Sequence, residues 1–278
     1  MLPLDSYSGY LYNLVPIFYE HVLPHLAMTL LNDLELLVAI LHAVQGIVML
    51  ALSGPFSLPI TVSYLTDAPG RSNGETLELI HLPIGLATAF FLLLSAVDHF
   101  ATYSWRGKEL GAPNTFRWGE YSISASIMTV IIAMLTGITE LTSLLGIWGC
   151  SVAMVGGGYL MEQQIEITTK GKEPSPPQDV KWGAFGFATV VGLFPWLAIA
   201  IQIMASETMN GQIPDFVYAI YISLLLLFAT FPANLMLFML KFLTYTQYET
   251  GYIVLSLTSK TVLAWQIFSA TLMRGRED

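Results

Sequence analysis

The stretch Gly251-Tyr-Ile-Val-Leu-Ser-Leu-Thr-Ser-Lys-Thr-Val-Leu-Ala-Trp265 sets a single charged side chain, Lys260, in the middle of an uncharged helical run. The apolar segment around it spans roughly residues 250–272. At about 1.5 Å of rise per residue, the lysine lies roughly 15 Å from either end. A lysine stem of about 6 Å cannot carry its amine to water from that depth. An unpaired ammonium there costs several kcal/mol, so the residue needs a partner or a purpose. One reading is a lysine that lines a wet cavity or is salt-bridged for structure. The other is an amine held in an apolar pocket to form a Schiff base with an aldehyde. Ser256, one turn earlier, shares its face.

The rest of the chain is of the same kind. Of 278 residues, 54% are hydrophobic and 11% charged, against about 25% charged in soluble domains. Too few charges remain to cover a soluble fold, which excludes a soluble enzyme and a disordered chain. A net charge of −9 argues against a nucleic-acid partner. The single Cys150 excludes a disulfide framework and a cysteine-based zinc site. Seven stretches reach the about 20 residues that a bilayer-spanning helix needs, at roughly 33–54, 79–101, 116–137, 142–163, 182–205, 214–240 and 250–272. The fold class is therefore an all-α, multi-pass membrane protein, a seven-transmembrane-helix bundle over residues 33–273 in the cell membrane. Between Pro55 and Thr76 a β-branched run followed by Ala-Pro-Gly predicts a short β-hairpin in the first extracellular loop. Lys170 to Asp179 is a hydrophilic loop rich in proline. Residues 1–32 hold no Lys or Arg, so they lack a signal peptide's basic start. With Pro16 and Pro24 they predict a cytoplasmic or interfacial segment lying on the membrane surface.

Orientation follows from the basic residues. Arg106, Lys108, Arg117, Lys170, Lys172, Lys181 and Lys241 fall on the side of the N-terminus, and Arg71, Arg274 and Arg276 on the other. Basic loops stay in the cytoplasm, which predicts a cytoplasmic N-terminus and an extracellular C-terminus.

A buried cation calls for an anion, and the third span offers Glu120. Ser124, four residues on, shares its face and can bond the carboxylate. The plainer alternative is an interfacial Glu120 paired with Arg117. His42 and His99 fall in the same half of the membrane. Each alone reads as a hydrogen-bonded structural residue. Together with Glu120, Gln45 and Ser95 they can form a cavity that holds a mobile proton. His21, His25 and His81 read as surface groups, and no third and fourth ligand accompanies His42 and His99 for zinc. Glu140 and Glu162 read as interfacial or helix-packing groups, and Asp98 as a partner for a loop arginine. Trp196, Phe231, Phe238 and Trp265 are either packing residues or pocket walls. Phe231, Asn234 and Phe238 share one helical stripe.

The segments Phe116-Arg-Trp-Gly-Glu-Tyr-Ser-Ile-Ser-Ala-Ser126, Tyr252-Ile-Val-Leu-Ser-Leu-Thr-Ser-Lys-Thr-Val-Leu-Ala-Trp-Gln-Ile-Phe-Ser269 and Pro214-Asp-Phe-Val-Tyr218 carry a resemblance. With seven spans, the chain resembles the microbial-type rhodopsins and, in these motifs, the heliorhodopsins, over roughly residues 33–273. The resemblance implies all-trans retinal bound covalently to Lys260 as a protonated Schiff base. It implies Glu120 as counterion, supported by Ser256 and Ser124. Tyr121 and Phe231 would flank the polyene, in a pocket with Met128, Trp196, Asn234, Phe238 and Trp265. His42, His99 and Ser95 match the family's cytoplasmic-side polar cavity. It further implies a homodimer, a slow photocycle without pumping, and the same N-in orientation that the charge count gives.

Three functions compete at this point. The first is a light sensor read by an unknown cytoplasmic signalling partner, the Schiff-base proton moving into a cavity where either histidine substitutes for the other. The second is a light-driven or light-gated proton transporter. The third is a seven-span transporter or hydrolase without retinal. Thr129 to Gly137 offer no carboxylate before Glu140, which disfavours a path through the protein. No paired-carboxylate or Gly-x-Ser-x-Gly motif supports an enzyme.

Overall fold

The computed structural model describes residues 23–71, 74–105, 114–166, 173–209, 211 and 213–274. The expected surface segment at residues 1–22 and the loop cations Arg106, Lys108, Lys170, Lys172 and Arg276 lie outside them. The elements run α1 (Leu23–Leu52), β1 (Ser57–Tyr64), β2 (Glu75–Pro83), α2 (Ile84–Trp105), α3 (Thr115–Leu135), α4 (Leu141–Glu162), α5 (Gly183–Thr208), α6 (Asp215–Met239) and α7 (Tyr245–Arg274). All seven helices are long and apolar enough to cross a membrane. The shortest, α3, has 21 residues, about 31 Å of rise, which matches a hydrocarbon core of about 30 Å. Neighbours in sequence pack in antiparallel pairs from α1 to α5, and α7 closes back onto both α6 and α1.

Burial is inverted relative to a soluble protein. Val97, Ile201, Met204 and Leu226 face outward, whereas Lys260, Glu120, Arg117, Glu162 and His42 are buried. The surface is apolar because its solvent is lipid, and the charges sit where other helices can pair them. In the half of the bundle away from the N-terminus, Phe91, Met128, Ile131, Ile132, Ile199 and Leu263 form a continuous apolar core. The half nearer the N-terminus is packed by aromatics, among them Trp118, Tyr121, Phe238, Tyr248 and Tyr252.

Three boundaries differ from the sequence reading. Helix α1 starts at Leu23 instead of 33, so residues 23–32 belong to the first helix and not to a separate segment. Leu31 and Val38 pack on Ile253 of α7, and this contact carries the helix down; Pro24 falls in its first turn, where proline is tolerated. Residues 79–83 are strand: β2 pairs antiparallel with β1 from Tyr64↔Glu75 to Ser57↔Pro83. The expected hairpin is therefore present and longer, its cross-strand bonds overriding the apolar run Leu79-Ile-His-Leu. The backbone N–H of Thr61 donates to Thr139 O at 2.9 Å, tying the hairpin to the turn between α3 and α4. Helix α7 begins at Tyr245, five residues before the expected start at 250.

Candidate functional site

Lys260 projects from α7 toward α3. Its Nζ lies 3.0 and 2.9 Å from the two oxygens of Glu120 and 3.1 Å from Ser256 Oγ. An ammonium has three donors, and these contacts use all three. Both side chains of the ion pair are 3% exposed. Ser95 Oγ stands 2.6 Å from Glu120 Oε1 and 2.8 Å from Phe91 O. Its single proton favours the charged acceptor.

Ser256 leads away from the lysine. Its Oγ is 3.1 Å from His99 Nε2, and His99 Nδ1 is 2.5 Å from Glu35 Oε2. A continuous chain of contacts thus runs Lys260, Ser256, His99, Glu35, across α7, α2 and α1. His42 stacks on His99 with ring centroids 5.5 Å apart, but neither of its ring nitrogens has a hydrogen-bond partner among the described residues.

On its other side Lys260 ends a cavity of about 230 Å³ between α3, α4, α5, α6 and α7. The walls are nearly all apolar and largely flat. They include Trp118, Tyr121, Met128, Trp196, Phe228, Phe231 and Tyr252. Tyr121 bridges the two parts of the site, with Nζ 4.9 Å from its ring centre and its hydroxyl donating to Tyr252 O at 3.3 Å. Two glycines keep the walls close. A Cβ on Gly158 would come within 2.5 Å of the Trp118 ring, and one on Gly192 within 2.4 Å of Met154 Sδ.

A second buried charge cluster closes the N-terminal end. Arg117 Nη1 donates to Glu249 Oε1 at 3.0 Å, and Nη2 pairs with Glu162. Glu162 also accepts from Trp118 Nε1, from Tyr248 OH at 2.9 Å and from Asn114 N at 3.0 Å. The guanidinium lies 4.4 Å from the centre of the Tyr252 ring.

This geometry decides several open readings. Arg117 belongs to Glu162 and Glu249, so it is neither Glu120's partner nor a loop cation, and Glu162 takes the helix-packing place of its two expected ones, buried between α3, α4 and α7. Ser124 lines the cavity, but its Oγ has no hydrogen-bond partner among the described residues; Glu120 turns its oxygens toward Lys260 and Ser95 instead. Gln45 accepts from Trp265 Nε1 at 3.0 Å, which ties α1 to α7 and removes both residues from their expected places in the polar cavity and the pocket. Phe238 stacks on Tyr248 at 4.4 Å, and Asn234 donates to Tyr248 O at 3.0 Å. Their stripe on α6 drifts onto α7, and only Phe231 reaches the cavity. Asp98 is buried, and its Oδ1 has no hydrogen-bond partner among the described residues, while the loop Arg106 that the sequence offers it lies outside them. Tyr121, Met128, Trp196 and Phe231 do line the cavity. The residue that sequence reading missed is Glu35. It lies seven before His42, two turns away on the same face, and that spacing is the signal for it. Outside the spans, Glu140 caps α4 by accepting from Ser143 N at 2.9 Å. Hydrogen bonds from Thr142 and Ser143 hold its carboxyl below the usual range.

The heliorhodopsin family profile matches residues 31–272. The chain belongs to the heliorhodopsin family. Among solved structures, this heliorhodopsin is similar to the light-driven proton pump LR (Mac) from Leptosphaeria maculans. The TM-score is 0.65 at 15% identity, covering 89% of this chain and 96% of that one. It is also similar to cyanorhodopsin from Tolypothrix sp. NIES-4075 (TM-score 0.62, 10% identity, 88% and 94% covered). A third is thermophilic rhodopsin from Rubrobacter xylanophilus (TM-score 0.59, 12% identity, 87% and 95% covered). At these identities the likeness establishes the shared rhodopsin fold. No curated protein sequence matches the chain. The family implies a retinal chromophore, and the residues fit one: a single amine ends a narrow cavity with flat aromatic walls, and a carboxylate stands beside that amine.

Proposed function

We propose that this heliorhodopsin is a light sensor that binds all-trans retinal covalently at Lys260 and moves a proton internally without net transport. Retinal would supply an aldehyde for the Lys260 amine and a light-sensitive polyene that Trp118, Tyr121, Trp196 and Phe231 would hold. Glu120 supplies the negative charge that keeps the Lys260 nitrogen protonated in the dark. The same four side chains exclude water. Once that nitrogen shifts in the light, Lys260 N–H loses its alignment with Glu120, and Ser256 offers the proton a way to His99.

The observation that carries the reading is an asymmetry about Lys260. Glu35, His42, Ser95, Asp98, His99 and Glu120 are all buried on its N-terminal side. On the opposite side the core is Ile131, Ile132, Ala133, Met134, Leu263, Ala264 and Ile267. The buried hydroxyls Thr88, Thr129 and Thr136 there donate to their own helix backbone. A pump needs donors and acceptors on both sides of the nitrogen. Here a proton has places to go on one side only. We further infer a cytoplasmic N-terminus and an extracellular C-terminus, which set the polar half facing the cytoplasm and an unidentified signalling partner. A homodimer with the lipid-facing helices in contact completes the reading.

Cells expressing the chain should become coloured when given retinal, and Lys260→Ala should leave them colourless while the protein still inserts. Illuminated cells should show no pH change sensitive to an uncoupler. A sustained, uncoupler-sensitive change would establish the rival reading, light-driven proton transport. Failure to colour would leave a seven-span protein that works without retinal.

A further inference from the structure

Glu35 has no role of its own in the reading above, yet the chain of contacts that starts at Lys260 reaches it through His99. It is 2% exposed, in a span that runs Met28–Leu52. We propose that Glu35 is the terminal acceptor of the proton that Lys260 releases, delivered through Ser256 and the imidazole of His99. The proposal rests on retinal binding at Lys260.

The direction of the relay follows from donor and acceptor capacity. A charged Lys260 nitrogen has no lone pair, so at 3.1 Å it donates to Ser256 Oγ. The serine proton is then directed to His99 Nε2 at 3.1 Å. Nε2 therefore accepts, and the neutral ring carries its proton on Nδ1. At 2.5 Å that Nδ1–H donates to Glu35 Oε2, and the proposal requires this carboxyl to be ionised in the dark so that it can take up a proton. Every hydrogen in the row points the same way. Transfer breaks the Lys260 N–H bond and forms a new Ser256 O–H bond. The old Ser256 O–H breaks as Nε2–H forms, and Nδ1–H breaks as the Glu35 O–H forms. One proton's worth of charge moves, the lysine nitrogen and Glu35 both end neutral, and His99 ends as the other tautomer.

The neighbouring groups are less well placed. Glu120 is the counterion, and its oxygens are already taken up by Lys260 Nζ and Ser95 Oγ. His42 stacks on His99 but has no hydrogen-bonded route to Ser256. Asp98 is buried next to His99 in sequence, yet it shares no hydrogen bond with that ring. Arg117 is bound to Glu162 and Glu249.

The test uses the full-length chain. Light-minus-dark infrared spectra of the retinal-loaded protein should show a protonated carboxylic acid appearing with the deprotonated intermediate. The band should shift with ¹³C-glutamate but not ¹³C-aspartate, vanish in Glu35→Gln and move in Glu35→Asp. Independently of any pigment, ¹⁵N NMR of the retinal-free protein should show His99 protonated at Nδ1. Its far-downfield proton should move upfield in Glu35→Gln. A band that survives in Glu35→Gln, a band that follows aspartate labelling, or an Nε2-protonated His99 in the retinal-free wild type would each overturn the assignment. If Glu35→Gln does not fold, an unmoved band in Glu35→Asp does the same. A wild type that takes up no retinal sinks the proposed function itself, and the NMR result still reports whether the relay points at Glu35.

Discussion

The Lys260–Glu120 pair makes a prediction about stability that needs no light. Both side chains are 3% exposed, with Nζ 2.9 Å from Oε2, so solvent does little to screen the pair. Removing one partner of a buried ion pair leaves an uncompensated charge and costs about 3–5 kcal/mol. Replacing both by apolar or neutral groups of similar volume is often neutral, because the desolvation of both ions disappears as well. In the retinal-free protein, Glu120→Gln and Lys260→Met should each therefore lose about 3–5 kcal/mol. The orphaned group can recover part of that by changing its protonation. The double variant should return to within about 1–2 kcal/mol of wild type. For a chain of this size about 2–4 °C of melting temperature corresponds to 1 kcal/mol. Each single variant should thus melt about 6–20 °C lower in detergent, and the double variant close to the parent. The coupling energy from this cycle is the quantity to measure. If the double variant lost the sum of the two singles, the residues would not be paired, and the counterion assignment would fall with them.

Five further outcomes are expected, four from the geometry of the site and one from the distribution of basic residues. Arg117→Lys should destabilise the protein by about 3 kcal/mol or more, since a point charge cannot replace a planar fork that serves two carboxylates; a melting curve equal to wild type would show the cluster to be unimportant. Ser124→Ala should change stability by less than about 0.5 kcal/mol and leave the pigment's spectrum in place, whereas Ser256→Ala should alter the lifetime of the deprotonated intermediate, as flash photolysis can show. Gly158→Ala should drive the Trp118 ring into the cavity and slow or abolish colour formation on adding retinal; normal uptake would place the ring elsewhere. A C-terminal tag should be reached by protease on intact cells, and accessibility only after permeabilisation would reverse the orientation.

How much of this was legible in the sequence depends on what kind of signal carried it. The seven helices follow from apolar run length, which the thickness of the bilayer sets. Boundaries did not follow, because they were decided by contacts. Leu31 on Ile253 extends α1, and strand pairing takes residues 79–83 from α2. Lys260 and Glu120 were readable because a charge at mid-membrane depth must be answered. Helical periodicity alone misplaced Ser124, Asn234 and Phe238, since it gives a face but not which neighbour that face meets. Gln45 and Trp265 were misassigned for the same reason, as they find each other across α1 and α7. The histidines looked interchangeable in sequence. In the structure His99 holds both ends of the relay and His42 only its stack, so replacing His99 should interrupt proton movement and replacing His42 should not.

The relay also bears on why an internal proton movement would not become transport. Before transfer its hydrogens point from Lys260 toward Glu35. Afterwards the order is reversed: Glu35 O–H faces Nδ1, Nε2–H faces Ser256, and the serine proton faces the lysine nitrogen. That arrangement is already aligned to carry the proton back, with no rotation of Ser256 and no flip of the His99 ring. Net transport would demand the opposite, with the relay resetting while the nitrogen is reloaded from the far side. On the far side of Lys260 the core around Ile131, Ile132, Leu263 and Ala264 can neither donate nor conduct a proton, and the polar residues Ser223 and Gln266 there bond each other. The easier path for the proton is its own return. A protein built in this way can hold a light-altered charge distribution for as long as Glu35 keeps the proton, and that held state is what a sensor has to present.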